Sequence, residues 1–154
     1  MGLEFRPAAP GDIEATFAIR ASTRQNPIPR SALVAMGITP ESVQEGLAVG
    51  SQVGRICADD GGPVGFCTGD TATGEVLVLA VLPEYEGRGI GARLLAEVVE
   101  ELRWRGSTRI WLTASSDPAI RAHGFYRSQG WRPTGRKLEN GDEELACFAA
   151  NTGR

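Results

Sequence analysis

Hydrophobic positions along the chain follow two periods, one typical of helices and one typical of strands. The residues predicted to form strands are 3–6, 51–58, 64–70, 75–81, 109–114, 131–137 and 145–150. The residues predicted to form helices are 13–22, 31–36, 40–49, 89–105 and 118–128. This order predicts an α/β fold of the α+β type, with a mixed, mostly antiparallel sheet of about six or seven strands flanked by helices. No repeat, low-complexity segment or change of composition interrupts it, so we expect a single domain over residues 1–154.

The strand predicted at 75–81 and the helix predicted at 89–105 have the clearest patterns. The last six residues of the strand read Val-Leu-Val-Leu-Ala-Val, which is typical of a strand covered on both faces. The helix carries one apolar stripe opposite a charged side, which predicts that it packs on the sheet. Earlier in the chain, Asp12 is predicted to cap the first helix, and Thr39 is predicted to begin the helix at 40–49.

Composition and charge exclude several classes of function. The chain of 154 residues carries 16 basic and 19 acidic residues, a net charge of −3, which gives no electrostatic reason to expect nucleic-acid binding. No stretch approaches 18 consecutive apolar residues and the N-terminus lacks a secretory pattern, so we expect neither a membrane span nor export. Three well-separated cysteines and one histidine predict reduced thiols, no metal site and a cytoplasmic location.

A glycine-rich turn lies between the apolar strand and the amphipathic helix, and it reads Glu-Gly-Arg-Gly-Ile-Gly over residues 86–91. Glycines allow a sharp turn with unobstructed N–H groups, which together with the positive end of the helix dipole favour phosphate oxygens. The spacing fits neither a P-loop, which needs Lys-Ser/Thr, nor the Gly-x-Gly-x-x-Gly of dinucleotide-binding folds. A simple turn between a strand and a helix remains the alternative.

The turn resembles the pyrophosphate loop of the GNAT superfamily of N-acetyltransferases, which reads Gln/Arg-x-x-Gly-x-Gly/Ala. Gly89 and Gly91 match its two conserved positions, whereas Glu86 stands where Gln or Arg is usual. Residues 122–131 are similar to the second motif of the family, Ala-x-x-Phe-Tyr-x-x-x-Gly-Phe, and Tyr126 in it comes 35 residues after Gly91. The resemblance is close from the apolar strand to this second motif.

The resemblance implies acetyl-CoA as the co-substrate, no metal, and a set of cofactor contacts. In this family the strand before the turn splays from its neighbour, so that its free backbone groups bind pantetheine, a role that falls to Leu79 and Val81. The residues implied around the pyrophosphate are Gly87, Arg88, Gly89, Ile90, Gly91 and Ala92.

Amide formation at a thioester needs a base, because a lysine-like amine with a pKa of about 10.4 is almost wholly protonated at pH 7. Glu75 is the candidate, since it opens the apolar strand where the histone-acetyltransferase branch of the family has its glutamate. Strand alternation is expected to put Glu75 on the same face as Leu79 and Val81. The alternative is that Glu75 is an exposed residue at the start of the strand with no catalytic role. The base would then be His123, Asp70 or water.

Tyr126 is the candidate donor to the departing thiolate, because it matches the tyrosine of the family and its phenol is protonated at pH 7. A packing role is the alternative. Thr113 and Ala119 replace the glutamate and asparagine of the branch that acts on protein N-termini. We therefore expect acetyl transfer to a primary amine by direct attack in a ternary complex. A small molecule or peptide is the expected acceptor, and a homodimer is compatible with the family. A silent acyl-CoA-binding regulatory module is the alternative function.

Overall fold

The structure is a computed structural model that describes residues 2–25 and 27–147. Its strands are β1 Glu4–Pro7, β2 Gln52–Asp59, β3 Gly62–Asp70, β4 Val76–Val81, β5 Trp111–Ala114, β6 Trp131–Lys137 and β7 Glu143–Cys147. Its helices are α1 Ile13–Ala21, α2 Arg30–Ala35, α3 Pro40–Val49, α4 Ile90–Trp104 and α5 Arg121–Ser128. The predicted order of helices and strands is confirmed.

The strands form two antiparallel sheets that meet at one point. One sheet has the order β1-β2-β3-β4 and the other the order β5-β7-β6. A parallel bridge between Glu75 and Trp111 joins them. The predicted fold class is confirmed, and its strands divide into groups of four and three rather than forming one continuous sheet. Because the bridge is parallel, the chain needs a crossover connection between β4 and β5, and α4 provides it.

The main core lies between α4 and the two sheets. The predicted apolar stripe of the helix is buried and consists of Ile90, Leu94, Leu95, Val98, Val99 and Leu102. It packs on side chains of both sheets, including Cys67 of β3, Val76 of β4 and Leu112 of β5. One helix therefore holds the two sheets together where their strands part.

The opposite face of the four-stranded sheet is covered by the N-terminal helices. Ile19 of α1 packs against Ile56 and Phe66 of the sheet. Phe17 of the same helix packs against Leu33 of α2. The four-stranded sheet thus lies between α4 on one face and the N-terminal helices on the other.

The starts of two helices show how the chain satisfies its free amides. Thr39 caps α3 as predicted, because the Ser42 amide donates to the Thr39 hydroxyl at 3.0 Å and the Thr39 amide donates to the Ser42 hydroxyl at 2.9 Å. Asp12 occupies the N-cap position of α1 as predicted, but its side chain makes no capping hydrogen bond. Its carboxylate accepts hydrogen bonds from Arg6 at 2.7 and 2.9 Å and from the Ala9 amide at 2.8 Å. Pairing with a guanidinium and an amide together outweighs one capping hydrogen bond.

Several predicted boundaries also move, including those of α5 and β7. α5 begins at Arg121 rather than at residue 118, because the side chain of Asp117 accepts the backbone amide two residues on, at 2.9 Å, and keeps this stretch in a turn. β7 begins at Glu143, before its predicted start, and the predicted end at residue 150 lies outside the described residues.

Candidate active site

β4 and β5 separate beyond the bridge between Glu75 and Trp111. The remaining residues of β5 pair with β7, and β4 pairs only with β3, so an open gap runs between the two strands. β4 lies between α4 on one face and α1 on the other, as its apolar run predicts, but its cover is incomplete. Leu77 is 39% exposed, and Leu79 and Val81 are half-buried.

The backbone of β4 presents free polar groups to this gap. The amide of Leu82, just past the strand, donates to the carbonyl oxygen of Val64 in β3 at 2.9 Å. Hydrogen-bonded and non-hydrogen-bonded positions alternate along an antiparallel pair. Leu79 and Val81 therefore occupy non-hydrogen-bonded positions opposite β3, and their N–H and C=O groups point to the side where β4 has no partner strand.

The glycine-rich turn ends in an unobstructed helix N-terminus. Gly87 and Gly89 both have a φ of 79°, and a Cβ added at either would meet no atom within 4 Å. The first backbone hydrogen bond of α4 runs from the Arg93 amide to the Gly89 carbonyl oxygen at 3.2 Å, so the amides of residues 90–92 have no acceptor in the preceding turn. Arg88 lies over the Tyr85 ring at 4.8 Å from its centroid, which leaves the mouth of the turn open.

Glu86, the departure from the family motif, is held by two arginines that the sequence did not single out. Its Oε1 atom lies 3.0 Å from Nε of Arg24 and 3.8 Å from Nη1 of Arg121. The side chain of Gln25 accepts the backbone amide of Arg121 at 2.8 Å. The loop after α1 and the start of α5 therefore meet beside the turn, and the three charged side chains carry a net positive charge. Because Arg24, Glu86 and Arg121 are far apart in the sequence, no local pattern predicted that they would form a cluster.

Tyr126 of α5 packs against the main core. Its ring makes edge contacts with Phe125 and Trp131, with centroids 5.2 and 6.1 Å away. Its hydroxyl makes no hydrogen bond to any of residues 2–25 or 27–147. Burial and the nearby Cys67 raise the pKa of Tyr126 above its ordinary value, and the charge of Arg20 opposes the shift. Cys67 belongs to the core under α4 whereas Arg20 is on α1, so the phenol has neighbours on both faces.

Glu75 points to the face opposite the one that alternation predicts. The register of β3 with β4 shifts by one residue, which leaves Leu77 as an extra residue in a bulge. Because of the bulge, Val76, Leu79 and Val81 all pack on the α4 side. Neighbouring residues of a strand point to opposite faces. The expectation that Glu75 shares a face with Leu79 and Val81 is therefore wrong.

The electrostatic surroundings of Glu75 favour its neutral form. Burial raises the pKa of Glu75 above its ordinary value, the carboxylates of Asp70 and Glu144 raise it further, and Arg136 opposes them. Its position beside the bridge to Trp111 places it at the closed end of the gap. A carboxyl whose pKa is raised toward neutrality is better suited to accept a proton than an ordinary surface glutamate.

The other candidate residues have structural partners. The Asp70 carboxylate accepts the amides of the following turn at 2.8 and 3.1 Å. Nε2 of His123 lies 4.0 Å from the Glu143 carboxylate, which Arg127 contacts at 2.7 Å. The Tyr85 hydroxyl donates to Asp59. Each of these side chains therefore has an identifiable role in the packing of the described residues.

Three comparisons place the chain among known proteins. The family model described as "Acetyltransferase (GNAT) domain" matches residues 52–133, just over half of the chain. A segment of 64 residues is 41% identical to the mycothiol acetyltransferase of Beutenbergia cavernae and covers 42% of this chain. The chain spans about a fifth of the length of that curated relative. The chain belongs to the GNAT acetyltransferase family.

Solved structures share the fold over nearly the whole chain. The PaiA N-acetyltransferase of Thermoplasma acidophilum, solved in complex with coenzyme A, has a TM-score of 0.78 at 17% identity, covering 96% of this chain and 99% of that one. YncA of Salmonella typhimurium, solved with its cofactor acetyl-CoA, has a TM-score of 0.70 at 16% identity, covering 95% and 91%. Among the described residues, no helix is long and apolar enough to cross a membrane. No group of three His, Cys, Asp or Glu in residues 2–25 and 27–147 is placed to hold a metal ion.

Proposed function

We propose that the protein is an acetyl-CoA-dependent N-acetyltransferase that acts on a primary amine. The observation that carries the proposal is the juxtaposition of two backbone features: the free edge of β4 at Leu79 and Val81, and the open turn that leads into α4. One suits the amide groups of a pantetheine arm, and the other suits a diphosphate. Their order along one strand and the turn after it matches the order of these groups in coenzyme A.

Acetyl-CoA supplies an activated thioester, and this chain supplies the groups that hold it. The amides at the mouth of the turn, over residues 87–92, bind the pyrophosphate. Arg24 and Arg121, which pair with Glu86, leave a net positive charge beside the turn, at the place where the family motif has Gln or Arg. Val81 donates its N–H toward the acyl carbonyl oxygen, where negative charge develops during attack.

Glu75 accepts a proton from the acceptor amine, directly or through water. The amine attacks the thioester carbon only in its neutral form, and the raised pKa of Glu75 brings the base closer to the working pH. The C–N bond then forms as the C–S bond breaks. The attack takes place in a ternary complex, so it needs no covalent enzyme intermediate, in keeping with the burial of Cys57 and Cys67 as free thiols.

Tyr126 stabilises the departing thiolate. A thiol has an ordinary pKa of about 8.5 and a phenol one of about 10, so complete transfer of the phenol proton to sulfur is uphill. Burial raises the pKa of Tyr126 further and keeps the phenol protonated. Its hydroxyl, which no described residue engages, therefore acts by donating a hydrogen bond to sulfur as the C–S bond breaks.

Steady-state turnover of acetyl-CoA with a panel of primary amines tests the proposal. Release of free thiol together with an N-acetylated product is expected for at least one amine, whether a small molecule or a peptide. Binding of acetyl-CoA without turnover of any amine would favour a regulatory acyl-CoA-binding module instead.

A further inference from the structure

A cavity of about 480 Å³ lies between α1 and the face of the four-stranded sheet opposite α4. Ile13, Phe17 and Arg20 line it from α1, because their spacing puts them on one face of the helix. Leu77, the bulge residue of β4, lines it from the sheet. The cavity therefore reaches the strand that borders the gap. Its volume falls within the range of about 300–1,000 Å³ that is typical of small-molecule sites.

Most of the cavity wall is apolar, and two of its three charged side chains already have partners. The Asp12 carboxylate is paired with Arg6 at 2.7 Å. Arg55 pairs with Glu97 of α4 at 2.9 Å, so its charged end lies on the opposite face of the sheet. Arg20 is the exception, since its guanidinium makes no hydrogen bond or ion pair with any of residues 2–25 or 27–147.

A half-buried guanidinium without a counterion is electrostatically unfavourable. Burial lowers the pKa of Arg20 below its ordinary value, and the nearby Tyr126 opposes the shift. Pairing with an anion offsets this penalty, and a carboxylate matches the two-pronged geometry of a guanidinium. An apolar wall with one unpaired guanidinium therefore fits a ligand that has an apolar body and a carboxylate.

We propose that the acceptor is an amino acid with an apolar side chain, whose carboxylate pairs with Arg20 while its side chain fills the cavity. This inference rests on the proposed acetyl transfer. The α-amine is attached to the carbon that bears the carboxylate, so it lies at the end of the cavity where Arg20 neighbours Tyr126.

The transfer balances with the groups already assigned. The α-ammonium gives one proton to Glu75 through water, since Glu75 does not itself line the cavity. The neutral nitrogen then forms the C–N bond as the C–S bond breaks. The second amine proton reaches the sulfur, and Glu75 returns its proton to water. The products are an N-acetyl amino acid and coenzyme A as a thiol. An α-amine, with a pKa of about 8, is neutral far more often at pH 7 than a lysine side chain.

A matched pair of acceptors tests the inference. L-phenylalanine and phenethylamine share the aromatic ring and the amine, and only the former has the carboxylate. We expect the wild type to prefer L-phenylalanine in kcat/KM by roughly 10- to 100-fold, the range that a charged hydrogen-bonded pair commonly supplies. In Arg20→Gln this ratio is expected to fall to near one, and Arg20→Lys is expected to retain part of it. Arg105→Gln, at the far end of α4, is the control and should keep the wild-type ratio. An equal loss for both acceptors in Arg20→Gln, or no preference in the wild type, would overturn the inference.

A binding measurement separates this inference from the proposed function. Calorimetry with 3-phenylpropanoate, which has the ring and the carboxylate but no amine, needs no acetyl transfer. Binding that is lost in Arg20→Gln supports the carboxylate site even if no amine is acetylated, in which case only the proposed function fails. Absence of binding to the wild type, or equal binding to Arg20→Gln, counts against the site itself.

Discussion

The backbone amide of Trp111 donates a hydrogen bond to the carbonyl oxygen of Gly74 at 3.2 Å, and this contact marks the closed end of the gap between the two sheets. Gly74 has a φ of 78°, and a Cβ added to it would overlap the carbonyl oxygen of Arg109. The close approach of the chain before β4 to the chain before β5 therefore requires glycine at this position. The gap is closed at this end by the contact and opens beyond it, where β4 pairs with β3 and β5 pairs with β7.

Gly74→Ala is expected to destabilise the fold by roughly 2–5 kcal/mol, since a left-handed backbone and a steric overlap both oppose the new methyl group. Gly135→Ala is the matched control. Its φ is 99° but no atom lies within 4 Å of the added Cβ, so only the backbone cost of about 1–2 kcal/mol is expected. Urea unfolding measures both variants. Equal loss of stability would show that the contact with Arg109 is not tight.

Asp12→Asn is expected to lower the free energy of unfolding by about 1–2 kcal/mol at pH 7, because Arg6 loses its charged partner while staying partly solvated. The hydrogen bonds from Arg6 lower the pKa of Asp12, burial opposes them, and the Ala9 amide adds to the lowering. The stabilisation is therefore present above the unfolded pKa of about 3.9 and is lost as the pH falls through the folded value.

Thermal unfolding between pH 7 and pH 3 checks this dependence. Glu4→Gln provides the comparison, since the Glu4 carboxylate is 3.7 Å from Arg6 but mostly exposed, and its removal should leave the melting temperature unchanged. A difference between the wild type and Asp12→Asn that stays constant down to pH 3 would contradict the assignment.

Glu75→Gln is expected to lower kcat by roughly 10²- to 10⁴-fold while raising stability at pH 7. Burial, Asp70 and Glu144 raise the pKa of Glu75 in the folded state, so the carboxylate is disfavoured there. Its contribution to stability is lost as the pH rises through the folded pKa, and the neutral glutamine avoids that loss. The gain in melting temperature should vanish below about pH 4, where both forms are neutral. Full turnover in Glu75→Gln would remove it as the base.

Tyr126→Phe is expected to lower kcat by roughly 100-fold with little change in melting temperature. The hydroxyl has no hydrogen-bond partner among the described residues, so its removal costs no contact inside the fold. Tyr85→Phe is the contrasting variant, because it removes a hydroxyl that donates to Asp59 and should leave kcat intact. Unchanged kcat in Tyr126→Phe, measured by thiol release, would leave Tyr126 with only a packing role.

The hydrophobic pattern predicted the order of helices and strands, because the face that each element buries determines the spacing of its apolar residues. The stripe of α4 and the boundaries of α3 follow from side chains that lie close together in sequence. The apolar run in β4 predicts a strand covered on both faces, and α4 and α1 do flank it, but the strand borders the gap and Leu77 is 39% exposed. A strand that borders a gap and a fully covered strand can both be apolar throughout. Composition alone therefore does not distinguish them.

Features that depend on strand pairing could not be predicted. The bulge at Leu77 arises from the register between β3 and β4, and it alone reverses the face of Glu75. The contacts of Glu86 with Arg24 and Arg121 join segments that are far apart in sequence. Arg20 does leave a local signal, since it falls on the face of α1 that carries Ile13 and Phe17, where a charge is unusual.

Calorimetric titration with coenzyme A tests the central claim most directly. The wild type is expected to bind it, and Gly87→Ala is expected to weaken binding at least about tenfold, because the new methyl group enters the open mouth of the turn at a φ of 79°. Pantetheine, which lacks the diphosphate, should bind both proteins alike, and Gly135→Ala should bind coenzyme A as the wild type does. Failure of the wild type to bind coenzyme A, or unweakened binding by Gly87→Ala, would contradict the account.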